Sequence, residues 1–165
     1  RGRRWFHYLS EEPIGGLHQI FSARYATATS RWRDVEISVF HHPAHTQQVD
    51  RLTASARATL EYFSTQFAPY PYRFLQFVEQ PAPGMGMGVD GSGVVTVLEG
   101  ATLFNAPARG IDGSFEIAAH EVAHQWWGGM LTPAFAEGAI LLSESLAWYS
   151  AMRVIRQEKG QEALR

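Results

Sequence analysis

The 165-residue chain is 45% hydrophobic and 18% charged, enough for one globular domain with a core of its own. Its net charge of −2 gives no electrostatic basis for binding nucleic acid or an anionic membrane surface. The lack of cysteine excludes disulfides and thiolate-bound zinc, and no apolar run reaches the length of a membrane span.

The first third reads as strands. "RRWFHYL" and "GLHQIFSARYATAT" are aromatic and β-branched, with Pro13, Gly15 and Gly16 between them. "RDVEISVF" alternates, with Val35, Ile37 and Val39 on one face and Asp34, Glu36 and Ser38 on the other, which predicts a half-buried strand. "HHPAHT" breaks it, and Thr46 is placed to cap the next element. Val49, Leu52, Ala56, Leu60, Phe63 and Phe67 then recur at threes and fours, which predicts an amphipathic helix stopped by the prolines of "APYPY". "RFLQFVE" reads as a strand. "QPAPGMGMGVDGSG" holds five glycines and two prolines and reads as loop. "VVTVLEG" is a further strand and "NAPARGIDG" a further loop. Two helices follow, from about Ser114 to Gly128, capped by Asp112 or Ser114, and from about Gly138 to Lys159, stopped by Gly160.

The order predicts an α+β fold, a mixed sheet with packed helices, in a single partial domain over 1–165. Residues 1–45 are mainly strands. Residues 46–112 hold a helix, strands and the Gly-rich loop, and residues 113–165 the last two helices. The start at Arg1 without a signal peptide, and the end directly after a helical pattern, suggest a piece of a longer protein, truncated at its C-terminus.

The chemistry concentrates in "AAHEVAHQWWGG". At 100° per residue, His124 lies about 40° from His120 and Glu121 about 100° away, so both imidazoles enter the same space one turn apart. The helix is otherwise apolar nearly all round, with Phe115, Ile117, Ala118, Ala119, Val122, Ala123, Trp126 and Trp127, and is expected to be buried. Three polar side chains there need partners. A zinc ion supplies one, with Glu121 beside it as the base for a metal-bound water. The third ligand is expected at Glu144, in an apolar stripe of Ile140, Leu141, Ala147, Trp148, Ala151 and Ile155. The rival, Glu137, lies in the turn "TPAFAEG", where a solvated or capping role is ordinary. Two histidines, one glutamate and a water make an open, catalytic type of zinc site.

These residues resemble the gluzincin aminopeptidases, of the aminopeptidase N and leukotriene A hydrolase type. "HEVAHQWWGG" is similar to their zinc-binding helix, "LLSESLAWYSA" to their third-ligand helix, and "ATLEYFSTQFAPYPYRFLQFVEQP" to the helix and strand before their substrate loop. The likeness runs from about residue 19 to 155. It implies a thermolysin-like catalytic domain, with His120, His124 and Glu144 as zinc ligands and Glu121 as general base. Three departures stand out. Residues 125–143 separate His124 from Glu144, one more than in the family pattern, which an insertion in "TPAFAEGA" would absorb. Met87 fits the methionine of the family's substrate loop, but Gly88 stands where a glutamate holds the substrate's amino group, with Asp90 as a candidate substitute. The transition-state tyrosine of the family falls beyond the end of the chain.

A closer likeness is to the peptidase-like segment of some bacterial ABC-transporter permeases, which share the longer spacing, the "Ser-Glu-Ser/Thr-Leu-Ala" third-ligand segment and an opening like "RRWFHYLSEEP". That implies an extracytoplasmic domain of a larger bacterial membrane protein. Two functions follow. The first is a zinc-dependent, aminopeptidase-like peptidase that hydrolyses peptide substrates through a metal-activated water. The second is a non-catalytic extracytoplasmic module of a transporter that keeps the metal site and binds a peptide or a partner.

Elsewhere, His41, His42 and His45 cluster at a strand end and read as a solvated loop rather than a second metal site. Trp126, Trp127 and Trp148 read as core rather than pocket lining. The glycine loop lacks the lysine and the following helix of a phosphate-binding loop, which excludes nucleotide binding by that route.

Overall fold

The computed structural model describes residues 2–9, 20–81, 87–90, 92–99 and 113–164. Five strands form one mixed sheet. They are β1 (Ala26–Trp32), β2 (Val35–His41), β3 (Phe74–Gln80), β4 (Met87–Asp90) and β5 (Val94–Leu98), in the order β1-β2-β3-β5-β4. β2, β3 and β5 run parallel, and β1 and β4 are antiparallel additions at the two sides. Helix α1 (Val49–Gln66) makes the crossover that a parallel β2–β3 pair requires. Helices α2 (Gly113–Ala123) and α3 (Leu146–Lys159) complete the described fold, which is α+β as the sequence implies.

The core lies between the sheet and the helices. Val35, Ile37 and Val39 of β2, Leu75 and Phe77 of β3, and Val95 and Val97 of β5 are all buried. They share one cluster with Leu52, Ala56, Leu60 and Phe63 of α1, and with Phe115, Ala118 and Val122 of α2. The alternation in β2 and the stripe on α1 therefore do what their spacing predicts. Ser38 is also buried, against expectation. β2 is an interior strand flanked by β1 and β3, and an interior strand is covered on both faces more often than an outer one.

Several boundaries differ from the sequence expectation. Residues 3–9 form no strand; Trp5, Phe6, Tyr8 and Leu9 are exposed, and β propensity without a ladder to join makes no strand. The second expected strand begins only at Ala26. Gln48, not Thr46, occupies the N-cap of α1, and it makes no side-chain capping bond. Phe67 is exposed, one residue past the helix. The glycine-rich segment contains β4, with Met87 opposite Val97 and Asp90 opposite Val94. Local composition predicts a loop there because it carries no sign of the partner strand. The loop expected over 105–112 lies outside the described residues.

Candidate metal centre

α2 brings His120 and His124 to the sheet's helical layer at its C-terminal end. It is buried at Phe115, Ala118, Ala119, Val122 and Ala123, so its apolar composition does predict its place. It ends at Ala123, five residues earlier than expected. After that the backbone tightens and then widens. Gln125 and Trp126 donate to carbonyls three residues back, while Gly129, Met130 and Leu131 donate to carbonyls five back. Gly128 has φ +107°, a conformation that side chains rarely adopt. A Cβ on Gly129 would stand 2.6 Å from the Gln125 carbonyl oxygen. The paired glycines after the tryptophans are what this turn needs.

That turn orients one imidazole. His124 Nδ1 lies 2.9 Å from the Trp127 carbonyl oxygen, which accepts its proton. The other ring nitrogen, Nε2, is then a lone pair aimed into the site. His120 Nε2 lies 3.1 Å from it. His120 Nδ1 is buried and has no hydrogen-bond partner among the described residues. Its ring instead stacks on Trp148, with centroids 4.1 Å apart and planes 24° off parallel. Burial, and then the positive charge that His124 can carry, push the His120 pKa down to about 4, against a smaller opposing pull from Glu144. The imidazole is therefore neutral at pH 7, the form that binds metal.

Glu144 closes the group. Its Oε2 lies 3.3 Å from His120 Nε2 and 3.4 Å from His124 Nε2. Glu137 stays in the exposed turn before the last helices. The three donor atoms form a triangle with sides of 3.1, 3.3 and 3.4 Å. Three ligands about 2.0–2.1 Å from a tetrahedral ion stand about 3.3–3.4 Å apart, so the donor set fits zinc in both chemistry and spacing. Glu121 is buried beside it, with carboxylate and imidazole atoms within 4.8 Å of one another.

The surroundings of Glu144 differ from the expected apolar stripe. Residues Leu141–Ser145 form a single π-helical turn ahead of α3. A π-turn holds one residue more than the same length of α-helix, and so rotates what precedes it by about 100°. Ala147, Ala151 and Ile155 are buried, but Ile140 and Leu141 are 73% and 61% exposed and the Glu144 side chain is 52% exposed. The bulge, not the loop before it, is the irregular feature at Glu144. α3 itself ends at Gly160, as expected, with φ +85° there.

Of the three tryptophans, Trp126 is core and its indole donates to the Ala68 carbonyl. Trp127 is partly buried and donates to Ser150 Oγ, which ties the end of α2 to α3. Trp148 is 43% exposed and is not core. The histidine cluster at the C-terminal ends of β2 and β3 is not a simple solvated loop either. His41 is buried, and its Nδ1 donates to the His42 carbonyl. His45 Nδ1 lies 2.6 Å from Glu79 Oε1, and the His42 backbone N–H donates to the other Glu79 oxygen. Glu99 lies within reach of the same group. The 2.6 Å separation is a hydrogen bond rather than the spacing of two donors around an ion.

Comparison with known proteins gives the family. Residues 52–165 match the model of the Peptidase family M1 domain. The chain belongs to peptidase family M1. It is 30% identical over 148 residues to Aminopeptidase 2 of Candida albicans, a match that covers 87% of this chain and 15% of that protein. It is 31% identical over 102 residues to human Endoplasmic reticulum aminopeptidase 1, covering 59% of this chain and 11% of the relative. The fold is also that of Legionella pneumophila aminopeptidase A, solved in complex with aspartic acid, with a TM-score of 0.71 at 18% identity. That likeness covers 86% of this chain and 18% of the solved one. This M1 chain thus spans less than a fifth of the length of these relatives.

Proposed function

We propose that this segment is the zinc-binding part of an aminopeptidase-like peptidase with a thermolysin-like catalytic fold, held by His120, His124 and Glu144 and served by Glu121 as general base. The triangle of donor atoms with 3.1–3.4 Å sides carries the reading. When bound, zinc supplies Lewis acidity, which lowers the pKa of water and polarises a carbonyl. The chain's own groups do the rest. His120 and His124 keep lone pairs on Nε2 because burial disfavours protonation of the first and the Trp127 carbonyl holds the tautomer of the second. Glu144 is half-exposed, which leaves the centre open to substrate. The Glu121 carboxylate takes up a proton and returns it to the leaving amine. β4, at the side of the sheet next to α2, offers backbone groups to an extended peptide.

The test is metal content by elemental analysis together with a peptide hydrolysis panel on Glu121→Gln. Zinc should stay at the wild-type level while any hydrolysis disappears. Loss of zinc with the fold intact would make Glu121 a ligand.

One observation favours a second reading. Gly88 stands on β4 where the family pattern has a carboxylate for the substrate's amino group. A module that keeps the metal and binds a peptide or partner without cleaving it is consistent with that change. In either case we place the segment outside the cytoplasm, in a larger bacterial membrane protein, on the likeness to transporter permeases. Among the described residues no helix is long and apolar enough to cross a membrane. The exposed Trp5, Phe6, Tyr8 and Leu9 suit contact with other parts of such a protein.

A further inference from the structure

We propose that Trp148 is a positioning residue for the metal centre, holding His120 by stacking where, among the described residues, its Nδ1 has no hydrogen bond to do so. The inference rests on the zinc reading above. The two imidazoles of the site are oriented in different ways. His124 has the usual device, an Nδ1–H donated to a carbonyl, here that of Trp127 at 2.9 Å. His120 has no hydrogen bond at Nδ1 among the described residues, although the atom is buried. What it has is the Trp148 indole, nearly parallel at 24° and 4.1 Å away by centroid. The His124 ring stands nearly perpendicular to His120, at 81°, and so does not define the same plane.

Trp148 lies one helical turn after Glu144. One segment therefore delivers a carboxylate to the centre and a flat surface to one of its histidines. The π-turn between Leu141 and Ser145 sets the phase between this segment and what precedes it. A ring free to turn about its last side-chain torsion points its Nε2 lone pair into the site only part of the time, and the indole removes that freedom. Trp148 is 43% exposed, so the ring is not retained for core packing, and its removal leaves little void in the fold.

The experiment compares Trp148→Ala, Trp148→Phe and wild type in the same chain, using zinc alone as the probe. Zinc affinity is measured by competition with a chromogenic chelator, and the thermal midpoint of the metal-free forms is measured beside it. Removing a group that orients a ligand typically costs ten- to a hundredfold in metal affinity. Trp148→Ala is expected to weaken zinc by about that factor, and Trp148→Phe, which keeps a stacking face, by about threefold or less. Metal-free midpoints should stay close to wild type in both. Cobalt-loaded Trp148→Ala should show a broadened ligand-field spectrum at the wild-type ligand count. Unchanged zinc affinity in Trp148→Ala would overturn the proposal, and so would an affinity loss matched by metal-free unfolding or an equal loss in Trp148→Phe. A wild-type chain that binds no zinc would instead refute the metal reading, and this inference with it.

Discussion

Glu144 Oε2 lies 3.3 Å from His120 Nε2 across the junction of two helices. The carboxylate comes from a half-exposed π-turn and the imidazole from a buried α-helix. Each element alone is incomplete: α2 and the turn after it bring two imidazole nitrogens to 3.1 Å, and two lone pairs at that distance repel unless a cation or a proton lies between them. The third donor supplies the negative charge that a divalent ion needs.

This arrangement makes Glu144→Ala the most damaging single change to metal binding outside the histidines. Zinc affinity should fall by more than the ten- to hundredfold typical of groups that only orient a ligand. Glu137→Ala, in an exposed turn, should leave it unchanged. Chelator competition on the two variants decides the matter. The reverse order would move the third ligand to Glu137.

Metal-free protein should lose stability as pH falls from about 6.5 toward 4. The folded His120 pKa, about 4, is below its ordinary value of 6.5. Across that window the unfolded chain binds the proton and the folded chain does not, so stability rises with pH at up to about 1.4 kcal/mol per unit from this group. The loss is complete below about pH 4. Urea midpoints at pH 7, 5.5 and 4.5, with chelator present, should fall more steeply for wild type than for His120→Asn. Parallel curves would show that His120 is not held neutral by the fold.

Much of this was readable from residue spacing, and the gaps have physical causes. The shared direction of His120 and His124 follows from the 3.6-residue period alone. The burial of α2 follows from an apolar surface that has to be covered. The surroundings of Glu144 depart from a single 100° lattice because the π-turn Leu141–Ser145 interrupts it. One added residue put Ile140 and Leu141 in solvent while Ala147 and Ala151 stayed inside. β4 was unreadable because Met87–Asp90 is a strand only by virtue of β5. The end of α2 at Ala123 is not legible in the sequence, where the pattern runs on to Gly128, because the roles of Gly128 and Gly129, a positive φ and a close carbonyl, emerge only from the folded turn. Trp148 carried a weaker signal. An aromatic one turn after a candidate ligand is more often core, and only its contact with His120 gives it another role.

The last prediction concerns the amino end of a bound peptide. Gly88 sits in β4, opposite Thr96, at the position where the family pattern has a carboxylate. A charge-assisted hydrogen bond to an ammonium group is worth about 1.5–3 kcal/mol. Without it, preference for a free amino terminus should fall by roughly ten- to a hundredfold. One peptide in free and N-acetylated forms should therefore bind the zinc-loaded chain about equally by calorimetry, and aminoacyl reporters should turn over slowly if at all. Asp90 is the one residue of β4 whose type is a carboxylate, two positions after Gly88. If the free peptide binds at least tenfold tighter and Asp90→Asn abolishes that preference, Asp90 has taken over the anchoring role. Equal binding of both forms by wild type and by Asp90→Asn is the expected result, and it describes a centre that holds peptides without reading their amino termini.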